Sequence, residues 1–183
     1  MFKTYTPADW YWRADDGRVF SSARQGVITA SDDAFIAWSA IADPTPWPKD
    51  DNGAQTDAAL LAVLAPFGLY LDLKAYAADV RYREETGGAV VNGSAYLTDR
   101  ETQAKMTAAV VMTQVNPAVT LEWKLADRSF VSLDAADMLQ VAQAVGAHVQ
   151  EAFAKEATVV AGINAGTITT KAQVDAAFSG ETP

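Results

Sequence analysis

A long stretch of helical periodicity constrains the fold of this chain more than any other feature of its sequence. From Asp134 to about Ile163, small and apolar residues recur at spacings of three and four, the spacing of one face of an α-helix. Asp134 can cap this helix and Gly166 can end it, so it would span roughly 45 Å at 1.5 Å per residue. Because so long a helix extends beyond a small core, we expect its C-terminal half to pack on a neighbour. The recurring positions are Met138, Val141, Val145, Val149, Ala152, Val159 and Ile163.

Two turn signals predict β-hairpins upstream of the long helix. Asn-Gly separates two short apolar runs within GAVVNGSAYL, and this pair is the one that tight hairpin turns prefer. Residues 119–133, VTLEWKLADRSFVSL, alternate around an Ala-Asp-Arg turn, which places Leu121, Trp123 and Leu125 on one face. Together with several helices, these hairpins predict an α+β domain over residues 57–183.

Four shorter helices complete that domain. Proline and glycine follow the first of them and Asn-Pro follows the third, and both signals end helices. The second is predicted to bury Tyr70, Leu73, Ala77 and Val80, and the place of Tyr76 is left open. One of the two threonines in TTKAQVDAAF is predicted to cap the last. The predicted spans are 57–64, about 69–84, 98–115 and 169–178.

The start of the chain predicts a small ββα unit. In WYWRADDGRVFSSARQGVIT, aromatic and β-branched residues flank Asp-Asp-Gly, which is a strong hairpin signal. Ser31 is then predicted to cap a helix whose apolar stripe is Phe35, Trp38 and Ile41.

A proline-rich segment separates this unit from the α+β domain. Residues 43–56 hold three prolines and Asp-Asn-Gly, and they predict a linker or surface loop. The predicted division is therefore a hairpin-helix unit over 1–42, the linker over 43–56, and the domain over 57–183. Trp47 lies in the linker, and we expect it to dock either on the protein's own core or on a partner.

The motif TDRE, residues 98–101, is a candidate for acid–base chemistry. Thr98 followed three residues later by Glu101 also fits a capping box, in which both side chains bind backbone N–H groups at the start of a helix. Asp99 adds a favourable charge at that helix end. Because no His, Cys or Lys stands close by as an obvious proton partner, capping is the favoured interpretation.

Composition narrows the classes of partner. The chain carries 23 acidic and 14 basic residues, a formal net charge of −9, whereas phosphate binding needs concentrated lysine and arginine. We therefore expect neither a nucleic-acid partner nor an anionic membrane surface. Cysteine is absent, which excludes disulfides and thiol catalysis. No signal peptide is visible and the longest apolar run is broken by proline and glycine, so we expect a soluble, cytosolic protein without membrane insertion.

No residue pattern indicates a catalytic, cofactor or metal site. His148 is the only histidine, and its mid-helix place predicts a half-buried, hydrogen-bonded structural residue. The acidic loop DDNG lacks the ligand spacing of a calcium site. Paired carboxylates of the kind a glycosidase needs fall at helix ends, although distant carboxylates that meet in space stay open. These pairs are Glu84 with Glu85 and Asp134 with Asp137.

Partner binding is the remaining role for the large apolar residues. The N-terminal tryptophans form either a core or a face that binds protein or sugar. The apolar stripe of the long helix predicts a homo-oligomer, a trimer or a dimer, and docking of the last helix along that stripe is the intramolecular rival. The candidate partner-binding residues are Trp10, Trp12, Trp47, Phe153, Val159 and Ile163.

Several motifs occur in order from about Leu71 to Phe178: VRYREETGGAVVNGSAYLTDRETQAK, LEWKLADRSFVSLDAADM, AVGAHVQEAF and AGTITTKAQVDAAF. With them the chain resembles an uncharacterised C-terminal domain found in the tail-fibre gene neighbourhoods of tailed phages and prophages. The N-terminal YWRADDGRVFSSARQGVITASDDAFIAW is similar to the aromatic hairpin and helix that opens many tail-fibre assembly proteins.

This resemblance implies a non-enzymatic bacteriophage tail-associated protein without known catalytic residues. It would be a tail-fibre component or a tail-fibre assembly factor that binds a tail fibre or another tail protein. It implies synthesis in the host cytoplasm and, if the protein is retained in the particle, a place in the virion tail, where host recognition occurs. The alternative is a tail-associated glycan-binding or glycan-cleaving protein.

Overall fold

The computed structural model describes residues 4–180, in which six α-helices combine with eight short strands. The strands form one sheet of four strands and two sheets of two strands. The α+β class predicted from the sequence, with one long helix, is confirmed. Two compact units divide the chain, residues 4–78 with 159–180, and residues 79–158. Every helix in the described range is too short or too polar to cross a membrane.

A four-stranded sheet opens the first unit. Its strands are β1 (Tyr11–Arg13), β2 (Val19–Ser21), β3 (Gly26–Ile28) and β4 (Thr45–Pro46). The predicted hairpin is confirmed, because β1 and β2 pair antiparallel with Trp12 opposite Phe20. Gly17 takes the left-handed φ of 92° in the turn between them. Antiparallel β3 and parallel β4 extend this hairpin in the order β3-β2-β1-β4.

Helix α1 (Asp33–Ser39) starts one residue later than the sequence predicts. Asp32, not Ser31, is the cap, because its carboxylate accepts two backbone N–H groups of the first turn at 3.0 and 3.1 Å. The same carboxylate pairs with Arg24 at 2.5 Å. Two of the predicted stripe residues are buried, but the third prediction is wrong, since Ile41 lies beyond the helix end and is 51% exposed.

The segment predicted as a linker, residues 43–56, is tied into this unit. Trp47 is 1% exposed, and its indole N–H donates to the carbonyl of Thr56 at 2.9 Å. The Arg18 guanidinium lies 4.6 Å from its ring centroid. Docking of Trp47 on the protein's own core is therefore confirmed, while independent domains over 1–42 and 57–183 stay a prediction. The core of this unit is formed mainly by Trp10, Tyr11, Trp12, Phe20, Phe35, Trp38, Trp47, Leu60, Leu64 and Leu69.

Two helices follow, α2 (Asp57–Leu64) and α3 (Leu73–Thr86). The bounds predicted for α2 are confirmed, and Gly68 takes a left-handed φ of 63° after it. Helix α3 begins later than the predicted residue 69, because Asp72 accepts the N–H of Ala75 at 2.8 Å and so caps the helix there. Of the predicted apolar residues, those buried are Leu73, Tyr76 and Ala77, and those half-buried are Tyr70 and Val80.

Two hairpins and the helix α4 form most of the second unit. Its elements are β5 (Ala89–Val91), β6 (Ser94–Tyr96), α4 (Arg100–Val115), β7 (Leu121–Lys124) and β8 (Phe130–Leu133). Both hairpins are confirmed, and Asn92 and Gly93 take the positive φ values, 51° and 80°, that a tight hairpin turn requires. The N–H of Ala126 donates to the carbonyl of Ala95 at 2.9 Å and so connects the hairpins.

The long helix α5 (Ala135–Ala165) is confirmed with both predicted ends. Asp134 accepts two N–H groups of the first turn at 2.9 Å each, and Gly166 follows the helix with a φ of 73°. Helix α6 (Lys171–Ser179) is capped by Thr170, one of the two predicted candidates. The buried core of the second unit consists of Val91, Tyr96, Met106, Ala109, Leu133, Met138, Val141 and Val145.

Candidate functional site

The motif TDRE does not form a capping box, so that prediction is wrong. Asp99 is the cap of α4, because its carboxylate accepts the hydroxyl of Thr102 at 2.6 Å and the N–H of the same residue at 3.0 Å. These hydrogen bonds lower the pKa of Asp99 from its ordinary value. Glu101 instead pairs with Lys105 at 2.6 Å on the exposed side of the helix. The cap lies one residue later than predicted because Thr98 points into the core.

Thr98 bridges two backbone groups in the interior of the second unit. Its side chain is fully buried, and its hydroxyl donates to the carbonyl of Glu85 at 2.6 Å. The same hydroxyl accepts the N–H of Gly88 at 2.9 Å. Thr98 therefore fixes the end of α3 against the strand that follows it, which is a structural task rather than a catalytic one.

Glu85 is the buried acid of a polar network beside this bridge. Its side chain is 5% exposed, and its carboxylate pairs with the guanidinium of Arg81. The same guanidinium donates to Glu156 at 3.0 Å and lies 4.6 Å from the ring centroid of Phe153. The amide of Gln103 adds a hydrogen bond to Glu85 at 3.3 Å. These contacts join α3 to α5 and to α4.

A second ion pair joins α3 and α5 within the same unit. The ammonium of Lys155 pairs with Glu84 and lies 3.6 Å from Glu151. Its hydrogen bond to Glu84 raises the pKa of Lys155 above the ordinary value. His148 Nε2 lies 2.9 Å from the carbonyl oxygen of Glu84, so the predicted half-buried, hydrogen-bonded histidine is confirmed.

The charged groups of this network pair with one another across α3 and α5. The arrangement of Arg81, Glu85, Glu84 and Lys155 is therefore suited to clamping two helices together.

A groove of about 450 Å³ lies between the start of α4 and the β7–β8 hairpin, and we call it the hairpin groove. Its walls combine apolar side chains with three cations and one acid. The residues that line it are Leu97, Thr102, Lys105, Glu122, Trp123, Lys124, Leu125, Ala126 and Arg128. Its chemistry suits a ligand with both an apolar and an anionic part.

A second groove, of about 330 Å³, runs between α4 and α5. Besides its core side, α4 carries a second apolar stripe on which Val111 is 52% exposed and Val115 is 82% exposed. We call the groove and this stripe together the α4–α5 face. The groove is lined by Gln103, Met106, Thr107, Val110, Val111, Ala142, Val145, Gly146, Val149 and Gln150. The stripe consists of Ala104, Ala108, Val111 and Val115, each exposed.

The residues predicted to bind a partner lie mostly inside the protein. Phe153 is 43% exposed and Ile163 is half-buried. A buried side chain offers no surface to a partner in this structure, so Phe153 is the most exposed member of the predicted set. The partner-binding role of the set stays a prediction. The four buried members are Trp10, Trp12, Trp47 and Val159.

The acidic loop after the prolines forms a closed turn. The carboxylate of Asp50 accepts the N–H groups of Asn52 and Ala54, each at 2.9 Å, which confirms the predicted turn. Within residues 4–180, no three His, Asp or Glu side chains are placed to hold a metal ion together.

The model of one protein family, a domain of unknown function (DUF4376), matches residues 71–178, more than half of the chain. The chain belongs to this family. No curated protein and no solved structure matches it. The DUF4376 match begins just before α3 and contains the whole second unit, with the polar network, the hairpin groove and the α4–α5 face. The family's description names no function, so association with phage tails stays a prediction.

One feature of the sequence indicates the α4–α5 face, although helical periodicity alone does not reveal this face. From Met106 to Thr120 no residue is charged, in a chain where 20% of residues are. A charge-free run of this kind marks a helix that is apolar on more than one side. By contrast, no local pattern indicated that Lys124 and Arg128 line one groove, because this depends on the packing of α4 against the hairpin.

Proposed function

We propose that this DUF4376 protein is a non-enzymatic bacteriophage tail-associated protein that acts by binding another tail protein. It would be a tail-fibre component or a tail-fibre assembly factor. The observation that carries the binding role is the exposed, uncharged α4–α5 face. The association with tails rests on the ordered motifs between residues 71 and 178, which resemble a domain from tail-fibre gene neighbourhoods.

The exposed stripe of α4 supports a binding role on energetic grounds. One apolar side of this helix is buried in the core through Met106 and Ala109, which is enough to hold the helix in place. The other side leaves Val111 and Val115 in water. Burial of apolar area stabilises a complex by about 25 cal/mol per Å², so this side favours association without being needed for the fold.

The absence of charge on this face supports the same role. The centres of protein–protein interfaces are depleted in charged residues, because each charge buried there must be desolvated. The residues that line the groove include no acidic or basic side chain. The chain as a whole carries a net charge of −9, but this face brings no charge of its own that a partner would have to desolvate.

The shape of the face indicates the kind of segment that binds it. A groove between two helices accepts a third helix, whose apolar residues at i, i+3, i+4 and i+7 enter the groove. We therefore propose that the partner presents an amphipathic helix. Synthesis in the host cytoplasm brings the two proteins together during assembly, and the complex then either remains in the virion tail or dissociates.

The contacts of the carboxylates that the sequence offers as catalytic candidates support a binding role over glycan cleavage. A glycosidase needs one carboxyl group that gives up a proton to the leaving sugar. Glu84 and Glu85 are each engaged by a cation, and Asp134 accepts the N–H groups that start α5. No observation at these residues favours the catalytic alternative.

Co-purification with the fibre tests the proposal. We expect the tagged full chain to recover a long tail-fibre protein of the same phage when the two are co-expressed. Val111→Asp and Val115→Asp should each reduce that recovery at least about tenfold, because a buried unpaired carboxylate opposes binding. Val90→Asp is the matched control, since Val90 is 73% exposed on β5, away from the face. Recovery that is equal for all variants, or no recovery by the wild type, would refute the proposal.

A second copy of the chain is the other occupant that this face fits, in line with the predicted trimer or dimer. Light scattering of the isolated chain at micromolar concentration distinguishes self-association through this face from binding of the fibre. A mass of two or three chains that falls to one chain in Val111→Asp would assign the face to self-association. A monomer that still binds the fibre would assign it to the fibre.

A further inference from the structure

A cleft of about 180 Å³ lies in the second unit between the β5–β6 hairpin, β8 and the first turns of α5, and we call it the Tyr96 cleft. Ser94 and Tyr96 are two residues apart in β6, so they lie on the same face of the hairpin, and both line the cleft. Asp137 and Gln140 are three residues apart in α5, so they lie on one side of that helix and also line it. Strand register and helix periodicity therefore bring four polar side chains to one place.

Asp137 is the acid of this cleft. Its carboxylate makes no ion pair or hydrogen bond with any residue that the structure describes. Each other carboxylate of residues 79–158 contacts a cation, a hydroxyl or a backbone N–H. An acid that is left without a partner beside a cleft favours a ligand that carries a positive charge.

The hydroxyl of Tyr96 is a second polar group of the cleft without a partner. The residue is 3% exposed, and its hydroxyl makes no hydrogen bond with any group in the described part of the chain, whereas a buried tyrosine usually has such a partner. This oxygen is not sealed from solvent, so it opens into the cleft that the residue lines. Burial raises the pKa of Tyr96, and so does the charge of Asp137, which places the carboxylate close to the phenol.

The polar lining matches the donors of a guanidinium. Among the described residues, no lysine or arginine lines the cleft, so no positive charge repels a cation there. Asp137 offers two acceptor oxygens, and the side chains of Ser94, Tyr96 and Gln140, none of which has a hydrogen-bond partner in residues 4–180, offer one each. A guanidinium has five N–H donors and an ammonium has three, so arginine satisfies this set of acceptors more fully than lysine.

The size and the apolar part of the cleft also suit one arginine side chain. Three buried residues, Val91, Leu133 and Val141, contribute apolar surface to the lining. The methylene stem of an arginine packs on such surface while its charged head reaches polar groups. The volume of about 180 Å³ lies below the range of about 300–1,000 Å³ that small-molecule clefts occupy, so a single side chain fills it.

We propose that the Tyr96 cleft binds an arginine side chain that a partner protein presents. The guanidinium donates two parallel hydrogen bonds to Asp137, and its remaining N–H groups donate to the neighbouring hydroxyl and amide oxygens. Arginine is suited to this role in an interface because its guanidinium is planar and less strongly hydrated than an ammonium. The cleft shares no residue with the groove between α4 and α5, so this site does not depend on the proposed α4–α5 interface.

Nuclear magnetic resonance titration of the isotope-labelled full chain tests this site. The probe is the tripeptide acetyl-glycyl-arginyl-glycinamide, and we expect saturable shifts of the backbone amides of Tyr96 and Asp137 with a dissociation constant of about 1 mM or below. The same tripeptide with citrulline, which keeps the shape of arginine without its charge, should produce no saturable shift. The tripeptide with lysine should bind at least about threefold more weakly, because it has fewer donors.

Two variants that keep the shape of their side chains assign the binding to the cleft. Asp137→Asn removes the charge, and we expect the affinity for the arginine tripeptide to fall at least about tenfold. Tyr96→Phe removes one acceptor, and the affinity should fall at least about threefold. Glu101→Gln is the matched control, since it removes the same charge from a side chain of α4 that is 77% exposed, and its affinity should be unchanged.

Four results would overturn the proposal. One is the absence of a saturable shift with the arginine tripeptide at about 20 mM. Another is equal affinity for the citrulline or lysine tripeptide, which would remove the role of the guanidinium. The third is an equal loss of affinity in Asp137→Asn and Glu101→Gln, which would indicate general attraction to an acidic chain. The last is binding of free agmatine at least about tenfold more tightly than the tripeptide, which would assign the cleft to a small molecule instead of a protein.

Discussion

Replacing Thr98 with valine removes one hydroxyl from the interior of the second unit and keeps the shape of the side chain. That hydroxyl is fully buried, donates to the carbonyl of Glu85 at 2.6 Å and accepts the N–H of Gly88 at 2.9 Å. The valine variant deprives the buried carbonyl of Glu85 and the part-buried N–H of Gly88 of this partner. Thr98→Val therefore isolates the bridge from any effect of side-chain volume.

The expected loss of stability follows from these two hydrogen bonds. A buried donor or acceptor that loses its partner costs about 1–3 kcal/mol, and because the N–H of Gly88 is only part-buried, the two groups together cost about 2–4 kcal/mol. Removing the observed helix cap with Asp99→Ala should cost only about 1 kcal/mol. Which of the two variants loses more stability therefore distinguishes a buried bridge at Thr98 from the capping box that the sequence predicts.

Urea unfolding of the full chain, followed by far-UV circular dichroism, measures both losses. Thr107→Val is the matched control, because this threonine of α4 is exposed and its hydroxyl bonds only within its own helix, to the carbonyl of Gln103. We expect the control to change the free energy of unfolding by no more than about 0.5 kcal/mol. If Thr98→Val lowers the free energy of unfolding by no more than Asp99→Ala does, the buried bridge at Thr98 is not a major source of stability.

Four other variants test the packing of the helices. Arg81→Met leaves Glu85 buried without its cation, and we expect urea unfolding to show that the free energy of unfolding falls by about 3–5 kcal/mol. A fall below about 1 kcal/mol would contradict the stabilising role of this ion pair. Because the pKa of Lys155 is raised above its ordinary 10.5, its contribution is complete below that pH and is lost as pH rises through the folded value. The stability difference between wild type and Lys155→Met should therefore be constant from about pH 7 to 10 and shrink above about pH 10.5, and a difference that persists at higher pH would contradict this. Gly162→Ala places a methyl group 2.8 Å from an isoleucine side chain and should cost about 1 kcal/mol. Gly146→Ala meets no atom within 4 Å and should instead stabilise the helix by about 0.5–1 kcal/mol, so equal melting temperatures for the two variants would refute this reasoning.

Local chemistry determines most of the elements that the sequence predicts. The hairpin turn at Asn92 and Gly93 needs two positive φ angles, and few other residue pairs supply them. The long helix is set by its own periodicity, with Asp134 and Gly166 at its ends. Such features depend on neighbours in the chain, so they are visible without a structure.

The wrong predictions depend on contacts between residues that are distant in the chain. Thr98 and Asp99 are both good caps by composition, and the contacts of Thr98 with Glu85 and Gly88 decide between them. Burial depends on distant contacts in the same way: Val159, on the predicted stripe of α5, is 1% exposed, and its partner-binding role stays a prediction. An exposed apolar stripe also lies on α4, and periodicity could not show which of the apolar sides of this helix faces water.

Hydrogen exchange of the full chain, alone and saturated with the tail-fibre protein, tests the central proposal most directly, because it locates the bound segment on the chain. We expect slower exchange in peptides that cover residues 104–115 and 142–150, which carry the α4–α5 face. Peptides from the β5–β6 hairpin, residues 89–96, should be unchanged. Protection confined to other segments, or no protection at a saturating concentration of fibre, would contradict the proposed binding face.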